Sequence, residues 1–327
     1  MRITAEQRRT DMVENKQSWK AWLYLSPAII LLLIFTVWPI VNTIRMSLLV
    51  NYRSIDETAG KIFTFGFDNF VKVAAYGSFL SCLKNTLLLC VLTVPLSTVL
   101  ALLIAVCLNS IKPLQKVLQT IFFLPYVTNS IAIGMVFSAM FNIVGSNIGG
   151  VQEQVSTWGI INNILGVFGV APMNWINPGS SYIANIIVLV IYIVWDALPF
   201  KILVLLGGLQ SVNKQYYDAA KIDSTPRARV FTKITVPLLS PMIAYVVITS
   251  FIGGFKEYSS IVGIFGEDMG PGDDSVFRTL DTMVGYIYNS IINQQEGLAS
   301  AAALILFGII FIVTMINLYV SKKKTHY

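Results

Sequence analysis

The chain has 327 residues, of which 55% are hydrophobic and only 12% charged, with a mean hydropathy of +0.69. That much apolar surface cannot be buried in a soluble domain, and a membrane barrel would alternate in short segments, so the composition points to an all-α polytopic membrane protein. The formal charge of +6 is not a nucleic-acid signal, because Lys and Arg flank the apolar runs instead of forming a patch.

About six spans are predicted from the lengths of the apolar runs. Residues 1–21 form a basic tail with Arg2, Arg8, Arg9, Lys16 and Lys20. No cleavable signal peptide is expected, because the run that follows is too long and lacks a small-residue cleavage site. The first span covers about 22–47 and holds Pro27 and Pro39. The second covers 85–108 and the third 117–143. The fourth runs over 183–207, the fifth over 237–264 and the sixth over 298–320, before a basic tail at 321–327. The turn 110–116, the loop 208–233 (with Lys201 counted among its bordering charges) and both tails are basic, whereas 143–192 has no Lys or Arg. The positive-inside rule therefore puts the basic segments and both termini in the cytoplasm. The loops 51–77, 145–181 and 267–295 then face outward, with Trp158 and Trp175 as interfacial anchors.

Chemistry-bearing motifs are sparse. Cys82, Cys90 and Cys107 share one apolar segment without zinc-ligand spacing, and His326 is the only histidine. No metal site and no catalytic residue is expected. No Gly-x-x-x-x-Gly-Lys-[Ser/Thr] pattern occurs, so the chain has no ATP-hydrolysing motif of its own.

The polar stretch 212–236 reads as two short helices, 216–222 and 227–234, between two apolar spans. Thr225 suits an N-cap and Pro226 the first helical position. Pro237 is predicted to end the element and restart the chain as the fifth span. Tyr217, Ala220 and Lys221 share a face, and Ala219 with Ala220 leaves room for another protein.

Asp218-Ala219-Ala220, then Asp223, then Ile234-Thr235-Val236-Pro237-Leu238-Leu239-Ser240-Pro241 resembles the Glu-Ala-Ala coupling loop of binding-protein-dependent ABC importer permeases. Asp218 stands where Glu is usual. Ser224 stands where Gly is usual, which narrows the φ available to the turn. Asn85-Thr86-Leu87, Phe122-Phe123-Leu124-Pro125-Tyr126 and Gly297-Leu298-Ala299-Ser300-Ala301 are similar to the carbohydrate-uptake branch, within it to a maltose-type first permease. The resemblance spans about 22–320. It implies a type I importer permease in a prokaryotic cytoplasmic membrane, surrounded by lipid. It implies a homologous second permease, two ATPase subunits that hold ATP and Mg, and an extracytoplasmic solute-binding protein that delivers a carbohydrate. It assigns coupling to the ATPase to Tyr217, Asp218, Ala219, Ala220, Asp223, Ser224 and Pro237.

Two helix faces are candidates for the substrate path. Ile193, Asp196, Ala197 and Phe200 lie at i, i+3, i+4 and i+7, and Ser250, Gly253, Gly254 and Glu257 repeat that spacing. The family motif adds Ser130. Ionisable groups at membrane depth seldom face lipid, so Asp196 and Glu257 either line a watery cavity or pair with Lys256. Gly253 and Gly254 either leave room for substrate or let helices pack closely. Pro125 and Pro199 either break helices beside the cavity or form packed kinks. Carboxylates and aromatic faces suit a sugar. Two alternatives stay open: an ABC importer of a charged or cationic solute, and an ion-coupled secondary transporter using Asp196, Lys256 and Glu257 as a proton relay. The structured polar loop and the lack of internal repeats count against the second alternative.

Overall fold

The computed structural model describes residues 5–75, 77–111, 115–143, 158–271 and 279–324. The predicted turn 110–116, the outer loops 145–181 and 267–295, and the final tail with His326 fall partly or wholly outside these residues. By internal packing the chain divides into Met1–Val73 with Ser290–Leu304, and Ala74–Asn289 with Ile305–Tyr327.

The first unit opens with α1 (Ala5–Leu32), a π-helical turn at Leu33–Val37 and α2 (Trp38–Leu48). The predicted tail 1–21 is thus helical from Ala5 onward and continuous with the first span. The π turn ends just before Pro39, where an unmodified helix would meet a missing N–H and a clash with the carbonyl of Phe35. Trp22, Leu31 and Phe35 are exposed, as expected of a lipid-facing span. Next come α3 (Ser54–Thr58) and α4 (Asp68–Ala75). Asn69 ties α4 to the end of α2, donating from Nδ2 to the carbonyls of Ser47 (3.0 Å) and Leu49 (2.8 Å). Glu57 accepts from the Tyr52 hydroxyl and pairs with Arg45. Those two contacts, the Tyr52 hydroxyl first, hold its carboxyl below the usual range. The Gly297 N–H donates to the Tyr52 carbonyl at 3.1 Å.

In the second unit the chain runs through α5 (Gly77–Ser110), α6 (Gln115–Val127), α7 (Ser130–Phe141) and α8 (Gly159–Val167). It continues with α9 (Tyr182–Ser211), α10 (Lys214–Ile222), α11 (Arg227–Val230) and, after a π turn at Phe231–Thr235, α12 (Val236–Leu238). Then come α13 (Ser240–Gly254) and α14 (Ser259–Phe265), while α15 (Met283–Ile292) passes into the first unit at Ser290 and α16 (Glu296–Lys324) returns to the second at Ile305. Among the described residues four helices are long and apolar enough to cross a membrane, or up to six if each of two bent pairs counts as one span.

The bent pairs correct the predicted spans. The third is broken by 96° between α6 and α7. Pro125 lies inside α6, and the break comes at Thr128–Asn129. There Asn129 Oδ1 accepts the N–H groups of Ile131 (2.9 Å) and Ala132 (3.3 Å), which starts α7 afresh. Pro199 breaks nothing, because α9 runs through it. The predicted fifth span is also not one helix. A 68° bend falls at Leu239, past Pro237, and α13 ends at Gly254 before a separate α14. Here too a π turn precedes the proline.

Small residues let these helices approach closely. Ala101 and Ala105 of α5 are fully buried beside Leu205 and Leu206 of α9. Gly134 of α7 and Gly263 of α14 meet backbone to backbone: a Cβ built on Gly134 would lie 2.7 Å from Gly263 Cα. Hydroxyls buried on α5 are satisfied locally, with Thr86, Thr93, Ser97 and Thr98 donating to carbonyls one turn back. Asn85 explains its own motif by pinning the far segment, with Nδ2 2.9 Å from the carbonyls of Thr279 and Asp281. Trp175, expected at an interface, is buried, and its Nε1 donates to Asn162 Oδ1 at 2.9 Å.

Candidate functional site: a polar cavity in the helix bundle

Between α5, α6, α7, α9 and α13 lies a cavity of about 390 Å³. All nine residues singled out for the substrate path line it. From α9 come Ile193, Asp196, Ala197 and Phe200. From α13 and the turn after it come Ser250, Gly253, Gly254 and Glu257. Ser130 reaches it from the first turn of α7, placed there by the break at Asn129. The two glycines divide the readings offered for them. A Cβ on Gly253 would meet nothing within 4 Å, whereas one on Gly254 would lie 2.8 Å from Cys90 Sγ on α5. Gly253 leaves room, and Gly254 permits a close helix contact.

The polar groups are held by neighbours. The Ser130 Oγ lies 3.0 Å from the Tyr192 hydroxyl, which also donates to the Ser130 carbonyl. A longer bond of 3.5 Å runs from Ser130 Oγ to Asp196 Oδ2. Glu257 Oε1 accepts the Ser260 N–H at 3.1 Å, which fixes the start of α14, and its carbonyl accepts the Thr282 hydroxyl at 2.7 Å. Tyr126 of α6 stacks on Phe200, with ring centroids 5.9 Å apart at 20°.

Lys256 does not pair with either carboxylate. It is exposed and does not line the cavity. Among the described residues the ion pairs are Arg45–Glu57, Lys61–Asp56 and Lys221–Asp218. The cation in the cavity is Lys201, buried on α9, with Nζ 2.6 Å from Ser97 Oγ. The sequence counts Lys201 among the charges bordering the cytoplasmic loop although it falls inside the predicted span 183–207, and α9, which continues to Ser211, holds it well inside the helix. A lysine flanked by Pro199-Phe200 and Ile202-Leu203 was itself the available signal. Thr93, Ser97, Tyr126 and Thr249 also line the cavity and were missed. Thr93, Ser97 and Tyr126 come from α5 and α6, which only the tertiary fold brings to the α9–α13 seam, whereas Thr249 directly precedes Ser250 on α13.

The polar loop is structured as well. Asn213 Oδ1 accepts the Gln215 N–H at 3.0 Å and starts α10 at Lys214, before the predicted Tyr216. The helix ends in a Schellman motif. The Thr225 N–H bonds the Ala220 carbonyl at 2.9 Å and the Ser224 N–H the Lys221 carbonyl at 3.0 Å. Ser224 accordingly takes φ +48°, the left-handed conformation that the usual glycine would adopt without strain. Thr225 is therefore part of a C-terminal cap and not an N-cap, and Pro226 sits one position before α11. Tyr217 and Ala220 turn inward, the Tyr217 hydroxyl 3.4 Å from Thr235 Oγ1 and Ala220 buried. Asp218, Ala219, Asp223 and Ser224 are exposed, while Pro237 is half-buried in α12. Tyr216 (55%) and Ile222 (84%) add exposed apolar surface to α10.

Comparison with known proteins agrees with this architecture. The family model described as "Binding-protein-dependent transport system inner membrane component" matches residues 97–326. The lactose transport system permease protein LacF of Rhizobium radiobacter is 26% identical, over 93% of this chain and 94% of its own length. The arabinooligosaccharides transport system permease protein AraP of Bacillus subtilis is 28% identical, over 92% and 88%. The trehalose/maltose transport system permease protein MalF of Thermococcus litoralis is 26% identical, over 96% and 98%. A solved bacterial ABC transporter involved in import of the acidic polysaccharide alginate superposes with a TM-score of 0.75 at 22% identity, over 96% of this chain and 99% of that one. The chain, an all-helical protein with the fold of an ABC importer permease, belongs to the family of inner membrane components of binding-protein-dependent transport systems.

Proposed function

We propose that this permease subunit carries a sugar or oligosaccharide, and that the cavity between α9 and α13 holds it during translocation. The observation that carries the reading is the mixture in one cavity of two carboxylates, several hydroxyls and the stacked Tyr126–Phe200 pair. Carboxylates and hydroxyls bond sugar hydroxyls, and aromatic rings cover the apolar face of a pyranose. The carbohydrate transport named for LacF, AraP and MalF supports the same class of substrate. The partners in this reading are a homologous second permease, two ATPase subunits holding ATP and Mg, and an extracytoplasmic binding protein. A solved relative in complex with a pentasaccharide-bound periplasmic protein supports the last of these. Both termini and α10 face the cytoplasm, in line with the basic residues of the tails and the loop. ATP-driven closure of the ATPases then moves α10 and rocks the helices around the cavity.

Asp196→Asn and Glu257→Gln test the site. Each keeps its volume and loses a charge-assisted hydrogen bond, so KM for uptake should rise about tenfold, with complex assembly unchanged. Uptake with wild-type KM in both variants would remove the cavity from the substrate path. Among the described residues neither carboxylate has an ion-pair partner, which favours, as a second reading, a cationic solute. Inhibition of labelled-substrate uptake by spermidine, with none by sugars, would select it.

A further inference from the structure

Lys201 is only 3% exposed, yet it lines the cavity. Its Nζ donates to Ser97 Oγ at 2.6 Å and to Thr98 Oγ1 at 3.3 Å. Both hydroxyls spend their own protons on carbonyls one turn back along α5, so each presents lone pairs to the lysine. An ammonium has three donors and no acceptor, which leaves one N–H for the cavity. Lys201 is in none of the ion pairs among the described residues. Such a charge at membrane depth is costly and is a mark of function.

Asp196 and Glu257 offer the opposite chemistry, since ionised carboxylates only accept. At 1.5 Å per residue along α9, Lys201 lies roughly 7.5 Å beyond Asp196. Phe200, which precedes Lys201 in sequence, and Tyr126 stacked on it line the same space. The cavity thus accepts hydrogen bonds at one end and donates one at the other. A neutral hydroxyl serves both ends, because it donates and accepts. A protonated amino group suits the carboxylates but is repelled by Lys201, and a uronate carboxylate suits Lys201 but is repelled by Asp196 and Glu257.

On the premise that this cavity is the sugar site, we infer that Lys201 is a specificity-determining residue that donates to a substrate hydroxyl and restricts the cavity to neutral sugars. The test uses the assembled complex, with its second permease and ATPases, in lipid nanodiscs. Calorimetry measures binding of neutral glucose-, galactose- and arabinose-based di- and trisaccharides, and of the 2-amino and uronate counterparts of the hexose members. Wild-type complex should bind a neutral member at least about tenfold more tightly than either charged counterpart. Lys201→Gln keeps a donor and removes the charge. It should hold neutral affinity within about threefold and gain about tenfold for the amino form. Lys201→Met removes the donor as well and should lose about tenfold for the neutral form. A charged form bound best by the wild type, or an unchanged ranking in both variants, would overturn the inference and leave the sugar site standing. Binding of no saccharide by the wild type would overturn both. Where Lys201→Met fails to assemble, Lys201→Gln, which keeps a donor for Ser97 and Thr98, carries the comparison, and a wild type that prefers a charged form overturns the inference without any variant.

Discussion

Asp218→Lys should abolish uptake, with a loss of about a hundredfold or more, the scale expected when one charge of a docked pair is reversed. The structure makes this a clean test. Asp218 is 64% exposed and its pairing with Lys221, at 3.2 Å, is on the surface. A surface pair of this kind contributes about 0–1 kcal/mol, so its loss leaves the fold of the chain nearly untouched. Neighbouring Tyr216, Ala219 and Ile222 are also exposed, and in the proposed function this is the surface that would meet the ATPase. Tyr217 and Ala220 point inward and hold α10 to its own chain, so Asp218 reports on docking while they report on stability. The checks are uptake and the amount of ATPase recovered with the tagged chain. Asp218→Glu restores the carboxylate usual in the family and should keep wild-type uptake. Wild-type uptake in Asp218→Lys would show that the loop does not couple.

Gly134→Val should destabilise the chain by about 3 kcal/mol or more and end uptake, because overpacking a contact that cannot relax reaches the top of the usual range. The contact in question is between backbones. A Cβ on Gly134 lies 2.7 Å from Gly263 Cα, and one on Gly263 lies 2.9 Å from Gly134 Cα and 3.0 Å from the Ile131 carbonyl. No side chain is available to swing aside. The crossing also matters to the cavity, since Ser130 begins α7 and Glu257 caps the start of α14. Driving those helices apart moves both groups. Gly308→Val is the control, because a Cβ there meets nothing within 4 Å. Thermal melting in detergent should show a large drop for the first variant and little change for the second. Equal melting temperatures would show that α7 and α14 do not cross as described.

The spacing of Ile193, Asp196, Ala197 and Phe200, and of Ser250, Gly253, Gly254 and Glu257, led directly to the cavity, because helical periodicity decides which side chains share a face. The spans at the ends of the chain were legible for the same reason: their apolar runs have only one structure open to them in lipid. What stayed hidden depended on local hydrogen bonding or on distant partners. The break before α7 is made by Asn129 capping two N–H groups, while the more conspicuous Pro125 stays inside a helix. The π turns absorb Pro39 and Pro237 without ending the helix where a proline would suggest. Lys201 counted as a loop charge, although inside the predicted span, because the positive-inside rule reads any basic residue near a span end as belonging to the cytoplasmic side. Its partners Ser97 and Thr98 lie about a hundred residues away in sequence, as their separations of 104 and 103 record, and no pattern local to α9 points to them.

The most direct measurement is uptake into lipid vesicles that contain the complex co-purified with this chain, supplied with a labelled oligosaccharide, its binding protein and ATP. Accumulation that requires both ATP and the binding protein is the predicted result. Accumulation that follows an imposed proton gradient without ATP, in vesicles holding this chain alone, would contradict it.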